Sequence, residues 1–177
     1  MYSDKELIER CLEFDPKAQE FLYKRFSRRM YGVCLRFARN TMEADDILQE
    51  GFIKVFSFLK DFRQEGSLEG WVRRTIVNTA INYYNSKQNE WNETGIEKAQ
   101  AYHSDAEDAL AKISANDLLN LIHELPEGYR MVFNLYVIEG YNHQEIAEML
   151  HISENTSKSQ LSRARMALQE RLIQRKK

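Results

Sequence analysis

The sequence predicts an all-α protein made of two small helical domains joined by a polar linker. Apolar residues recur at helical spacings of three and four along almost the whole chain. The two prolines, Pro16 and Pro126, both stand where a helix can begin, because a proline at the first helical position gives up only an N–H that would be unsatisfied there anyway. Between Asn85 and Ala106 the periodicity gives way to "NSKQNEWNETGIEKAQAYHSDA", a largely polar run with a single tryptophan, Trp91, which reads as the linker.

Taken in order, Leu7, Ile8, Cys11 and Leu12 mark a first helix. Leu22, Phe26, Met30, Val33, Cys34 and Phe37 mark a long second one behind Asp15 and Pro16. A third begins at Asn40 or Thr41 and is marked by Leu48, Phe52, Val55, Phe56 and Leu59; Glu43, Asp45 and Asp46 suit its first turns because carboxylates are favoured at the positive end of the helix dipole. A fourth runs from about Leu68 to Tyr84, opened by Gly66 and a capping Ser67, with Val72, Ile76, Thr79, Ala80 and Tyr83 as its buried stripe. The domains are then 1–88 and 107–177, with 89–106 between them.

In the second domain Leu110, Ile113, Leu118, Leu121 and Ile122 suggest one helix. "PEGYRMVFNLYVIEG" is rich enough in Val, Ile, Tyr and Phe to pass for a strand, yet its starting proline, its stopping glycine and the 132, 135, 136 spacing decide for helix. A short helix carrying Ile146, Ala147 and Leu150 follows. After about three residues, with Ser153 placed as N-cap, a longer one carries Leu161, Ala164, Leu168 and Leu172.

A chain that is 43% hydrophobic and 29% charged belongs with globular proteins rather than disordered ones. No apolar run is long enough to span a bilayer, and "MYSDKELIER" lacks the basic-then-apolar layout of a signal peptide, so a cytoplasmic protein without membrane insertion is expected. Cys11 and Cys34 have no C-x-x-C spacing and are expected as buried, reduced thiols. His143 and His151 have no third ligand nearby, which argues against a metal. With no phosphate loop, metal cluster or nucleophile–base pair, neither catalytic residues nor a cofactor are expected, and the protein is not expected to be an enzyme.

The formal charge of −2 is unevenly spread. Residues 151–177 hold seven basic and two acidic side chains, a net charge of +5, which leaves −7 for the rest. One face thus suits phosphate and another a basic partner. The two short helices around Ser153 have the helix-turn-helix pattern, whose second helix enters the major groove of DNA. Its opening, "SENTSKSQLSRAR", holds four serines, one threonine and one asparagine, all poor helix formers. Asn155, Lys158, Ser159, Ser162, Arg163 and Arg165 face away from the core, where short donors and acceptors read bases and cations hold phosphates. Ser157 does not fit: it lies four, seven and eleven residues before Leu161, Ala164 and Leu168 and so turns inward. There its hydroxyl is expected to bond a carbonyl one turn earlier, so that valine in its place would stabilise the domain by roughly 1 kcal/mol.

In the first domain Asp46, Gln49 and Glu50 form an acidic and amide stripe opposite Leu48, Phe52 and Val55, suited to docking a basic protein. On the fourth helix Arg74, Asn78 and Asn82 line up at intervals of four. Asparagine is a poor choice inside a helix unless its amide has a partner, and a row of Arg and amides flanked by Trp71, Tyr83 and Tyr84 suits single-stranded nucleic acid.

"ADDILQEGFIKVF", "GWVRRTIVNTAINYY", "LPEGYRMVFNLYVIEGYNHQEIAEML" and "TSKSQLSRARMAL" stand in the order and near the distances found in bacterial extracytoplasmic-function sigma factors, the two-domain group of the RNA polymerase sigma family, which this chain therefore resembles. The resemblance implies a region 2 type bundle and a region 4 type helix-turn-helix. It implies that Asp46, Gln49 and Glu50, with Asp45 beside them, dock on the clamp helices of the largest subunit of core RNA polymerase. Asn78 and Asn82, with Trp71, Arg74 and Tyr83, would meet the melted minus-ten element of promoter DNA. Asn155, Thr156, Lys158, Ser159, Ser162 and Arg163 would face the minus-thirty-five element, with Arg165 on phosphate. An anti-sigma factor is a further implied partner. The chain departs from the family pattern at Ser157, usually aliphatic, at His151, where the turn usually has glycine, and at Gln160, often basic. The alternative is a free-standing helix-turn-helix regulator, which would need neither the acidic stripe nor the asparagine row.

Overall fold

The computed structural model describes residues 2–94 and 115–175, with side chains from 2–88 and 117–174. Leu110, Ile113 and most of the expected linker lie outside the described residues. The chain divides into two compact units, Met1–Lys87 and Gln88–Lys177. The described residues are all-α, as the sequence predicts.

In the first unit α1 (Asp4–Leu12) starts at Ser3, whose hydroxyl accepts from the N–H of Glu6, and α2 (Pro16–Phe37) starts at Asp15, with Pro16 in the first turn. Helix α3 (Thr41–Phe58) is capped by Asn40, whose Oδ1 accepts from the N–H of Glu43 at 2.9 Å, and it ends in a 3-10 turn, Leu59–Asp61. Leu7, Leu22, Phe26, Met30, Ile47, Leu59, Leu68 and Ile76 are fully buried and form the core. Each such side chain contributes roughly 1.5–3 kcal/mol over its exposed state. Leu12 is the exception on the first helix: at the C-terminal turn it is exposed rather than buried.

Helix α4 (Leu68–Thr94) runs ten residues past the expected end at Tyr84. A polar run without an apolar stripe gives no periodic signal, yet Lys, Gln and Glu within it are good helix formers. Lys87 of this extension donates to Glu43 Oε1 at 2.5 Å, tying α4 to the start of α3. The two helices also meet at Gly51, where an added Cβ would overlap Ile76 Cδ1.

In the second unit α5 (Ala115–His123), α6 (Glu127–Phe133), a π-helical turn (Asn134–Ile138), α7 (His143–Leu150) and α8 (Glu154–Arg175) follow one another. Pro126 is the N-cap of α6, not its first helical residue. The expected single helix ending near Gly140 is helical to Ile138, but its second half is wider: Glu139 N–H reaches back five residues to the carbonyl of Asn134. Gly140, at φ +80, then stops it. Helix α7 opens with a capping box, Asn142 Oδ1 accepting from Glu145 N–H while Glu145 Oε2 accepts from Asn142 N–H. Leu121, Ile122, Met131, Leu135, Ile146 and Ala164 are fully or almost fully buried.

His151 ends α7 in the left-handed conformation, φ 54 and ψ 43. This is the conformation that glycine adopts at no cost, and a histidine there costs roughly 1–2 kcal/mol. The left-handed turn is thus made here without a glycine. Cys11 and Cys34 are buried free thiols; burial pushes the first up to about 11 and the second up to about 12.

Candidate docking face and nucleic-acid interfaces

The period of α3 separates its two faces. Ile47, Leu48, Gly51, Phe52 and Val55 are buried, while Asp45, Asp46, Gln49 and Glu50 are all exposed. Glu50 already holds Lys54 Nζ at 2.5 Å across one helical turn. The stripe continues to Ile53, which is 65% exposed. That residue went unremarked in the sequence, although it lies four and three positions after Gln49 and Glu50, so the same spacing points to it.

Glu43 is not part of this face. It turns inward to 8% exposure and accepts from the backbone N–H of Arg39 at 2.9 Å as well as from Lys87. Burial pushes its carboxyl up, but the bonds from Lys87 and Arg39 outweigh burial and hold it below the usual range. The helix dipole alone does not account for it. Lys87 in turn is raised, first by its bond to Glu43.

Arg74, Asn78 and Asn82 of α4 are exposed in one row, opposite the buried Val72, Ile76, Thr79 and Ala80. At the head of the row Gly66, at φ +115, makes the bend that brings Ser67 to cap the helix, its Oγ accepting from the N–H of Gly70 at 3.0 Å. The bend leaves a cleft of about 370 Å³ between the Asp61–Gly66 segment and the first turns of α4, lined by Phe62, Arg63, Trp71 and Arg74 among others. Trp71 is half-buried, its ring 5.6 Å from that of Phe62. No periodic signal could have indicated the cleft, because a loop forms one wall. Tyr83 is half-buried rather than fully so, and the ammonium of Lys87 sits 4.6 Å from its ring centre. One face of Tyr83 is thus taken by a cation.

Ser153 caps α8 as its sequence position suggests. Its Oγ accepts from the N–H of Thr156 at 3.0 Å and meets Thr156 Oγ1 at 2.8 Å, so the Thr156 hydroxyl is engaged in the cap. Asn155, Lys158, Ser162 and Arg165 are exposed; Thr156, Ser159 and Arg163 are half-buried. Lys158 Nζ lies 2.6 Å from Glu154 Oε1, which holds the cation along the helix surface. The Ser159 hydroxyl donates to the carbonyl of Thr156. Gln160 lies over Gly128 of α6, 3.1 Å from where a Cβ would stand, so it packs within the unit. Arg171, counted above with the basic tail, donates to the carbonyl of Glu124 at 2.9 Å and is used to fasten α8.

Ser157 is fully buried, as its phase requires, but its partner is not a carbonyl of its own helix. Its Oγ lies 3.0 Å from Nδ1 of His143 on α7. The imidazole stacks on Tyr136 of the π-helical turn, with ring centres 4.5 Å apart and planes 23° apart. Burial lowers the His143 pKa, and Lys158 and Arg165 lower it further against the opposing pull of Glu154.

The chain matches sigma-70 region 2 over residues 22–90 and sigma-70 region 4 over residues 115–168. It is 27% identical to the RNA polymerase sigma-H factor of Pseudomonas aeruginosa, over 96% of this chain and 93% of that protein. It is 28% identical to the ECF RNA polymerase sigma-E factor of Haemophilus influenzae, over 96% and 95%. Among solved structures, the sigma factor RpoE in complex with the anti-sigma factor NepR from Bartonella quintana has the same fold, at 18% identity and a TM-score of 0.52 over 88% of this chain and 96% of that one.

Proposed function

Because the chain belongs to the sigma-70 family of RNA polymerase sigma factors, in its extracytoplasmic-function group, we propose that it binds core RNA polymerase and directs promoter-specific initiation of transcription. The observation that carries this is the succession, in one chain, of a region 2 match and a region 4 match. It acts as a dissociable subunit without catalysis of its own, in the cytoplasm where the chromosome is. Among the described residues no helix is long and apolar enough to cross a membrane.

The exposed carboxylates and amide of Asp45, Asp46, Gln49 and Glu50 suit a basic helical surface on the polymerase, the clamp helices of its largest subunit, and Ile53 adds an apolar contact beside them. The row of Arg74, Asn78 and Asn82 leads into the cleft beside Trp71, which has room for an unstacked base between an aromatic ring and a guanidinium; these residues serve the melted minus-ten strand, with Tyr83 beside them. Helix α8 lies in the major groove at the minus-thirty-five element. Asn155, Ser159 and Ser162 reach base edges, Lys158, Arg163 and Arg165 hold phosphates, and Thr156 supports the cap. An anti-sigma factor is a partner, by likeness to relatives solved with one. Purified core polymerase with genomic fragments tests the proposal: run-off transcripts with defined starts are expected only when the chain is added, and an unchanged transcript set would refute it.

A further inference from the structure

A part-buried hydrogen bond between side chains, Ser157 Oγ with His143 Nδ1, joins α8 to α7. Ser157 stands between Thr156, which completes the α8 cap, and Lys158, which faces outward. With His143 neutral and protonated on Nε2, the Ser157 hydroxyl donates to Nδ1; with the ring protonated, Nδ1–H donates to Ser157 Oγ instead. The bond survives in both states, while the charge beneath α8 changes by one. Tyr136 from the π-helical turn stacks on this ring, and the charges that act on it are those of Glu154, Lys158 and Arg165 from α8. Two of those three charges are cations, so in the free protein they oppose protonation.

We propose that His143, clasped between the Tyr136 ring and the Ser157 hydroxyl, is a positioning residue that couples duplex binding at α8 to the uptake of one proton. The proposal rests on the reading of α8 as the helix that meets duplex DNA. Phosphates placed against Lys158 and Arg165 neutralise the two cations that oppose the imidazolium and add negative potential within a Debye length of the ring. The proton is then held more tightly in the complex than in the free chain. Affinity for duplex therefore rises as pH falls through the range between the free and bound midpoints of His143. One proton permits at most about a tenfold rise per pH unit.

The experiment uses the full chain and a mixed-sequence duplex of about 24 base pairs at about 50 mM salt, since phosphate contacts do not depend on sequence. Imidazole midpoints are followed by NMR with and without duplex, and duplex affinity is measured at about pH 6 and about pH 7.5. His143→Asn places an amide where Nδ1 stands, keeping a partner for Ser157 without titrating. His151→Asn controls for the other imidazole of the motif, and asparagine tolerates the left-handed conformation. The expected result is a raised His143 midpoint on duplex, a several-fold higher affinity at the lower pH that His151→Asn retains, and loss of that pH dependence in His143→Asn. If α8 resonances shift on duplex while the His143 midpoint stays in place, or if His143→Asn keeps the pH dependence, the coupling is overturned and the reading of α8 stands. If α8 resonances do not respond to duplex at all, that reading falls, and this proposal with it.

Discussion

Replacing Ser157 by valine tests how closely the second unit depends on one contact between helices. From sequence alone valine is expected to stabilise, because the position faces the core and is usually aliphatic in the family. The structure reverses the sign. Removing the hydroxyl forfeits its hydrogen bond and leaves His143 Nδ1 without a partner at a half-buried site, together a loss of about 2 kcal/mol. Two added methyl groups return about 1 kcal/mol when partly buried, and serine and valine differ little in helix propensity. Ser157→Val should therefore destabilise the second unit by about 1 kcal/mol at about pH 8, and Ser157→Ala, which gains no burial, by about 2 kcal/mol. Urea melts followed by a probe in α6 or α8 read the unit directly, which matters because two units need not unfold together. In a His143→Ala background the penalty of Ser157→Val should vanish, since the bond is already gone. A stabilising Ser157→Val in the wild-type background, or a penalty unchanged by His143→Ala, would refute the reasoning.

Three further outcomes are expected. Glu43→Gln keeps an acceptor for Arg39 N–H but loses the charge that holds Lys87, and should cost about 1–2 kcal/mol at neutral pH. Because the folded carboxyl titrates below its unfolded value, this stabilisation is present above about pH 4.3 and is lost as pH falls through the folded pKa, so melts of mutant and wild type should converge in acid. Changing Asp46, Gln49 and Glu50 together to alanine should weaken core polymerase binding without changing the melting curve, since all three are exposed; unaltered affinity in a binding assay counts against the docking face. Asn78→Ala and Asn82→Ala should slow open-complex formation, read by permanganate footprinting, more than duplex capture, and equal effects on pre-melted and closed templates would contradict a role on the melted strand.

The elements that the sequence made legible are those with an apolar stripe or a side-chain cap. Asn40, Ser67 and Ser153 each cap the helix that their position suggests, and Ser157 points inward as its spacing from Leu161 and Ala164 requires. What escaped the sequence depends on contacts between elements. The extension of α4 beyond Tyr84 has no stripe and gains its tie from Glu43, forty-four residues away. The π-helical turn keeps a helical pattern of apolar residues and differs only in its hydrogen bonds. Ser157 and His143 are fourteen residues apart, and only the turn at His151 brings their helices into register. The same holds for the exposed sites: spacing reveals the stripe of Asp46, Gln49 and Glu50, whereas the cleft at Trp71 needs the bend at Gly66.

The most direct test of the central claim is the affinity of the full chain for a fragment bearing one of its own transcription starts, measured at near-physiological salt with and without core polymerase. A net charge of −2, made of −7 over residues 1–150 and +5 over residues 151–177 with Arg171 committed to the fold, predicts weak binding by the chain alone. Core polymerase, by engaging the α3 face and admitting the melted strand to α4, should raise the affinity by orders of magnitude. Tight, sequence-specific binding without polymerase, unchanged when polymerase is added, would contradict the account and identify a free-standing regulator instead.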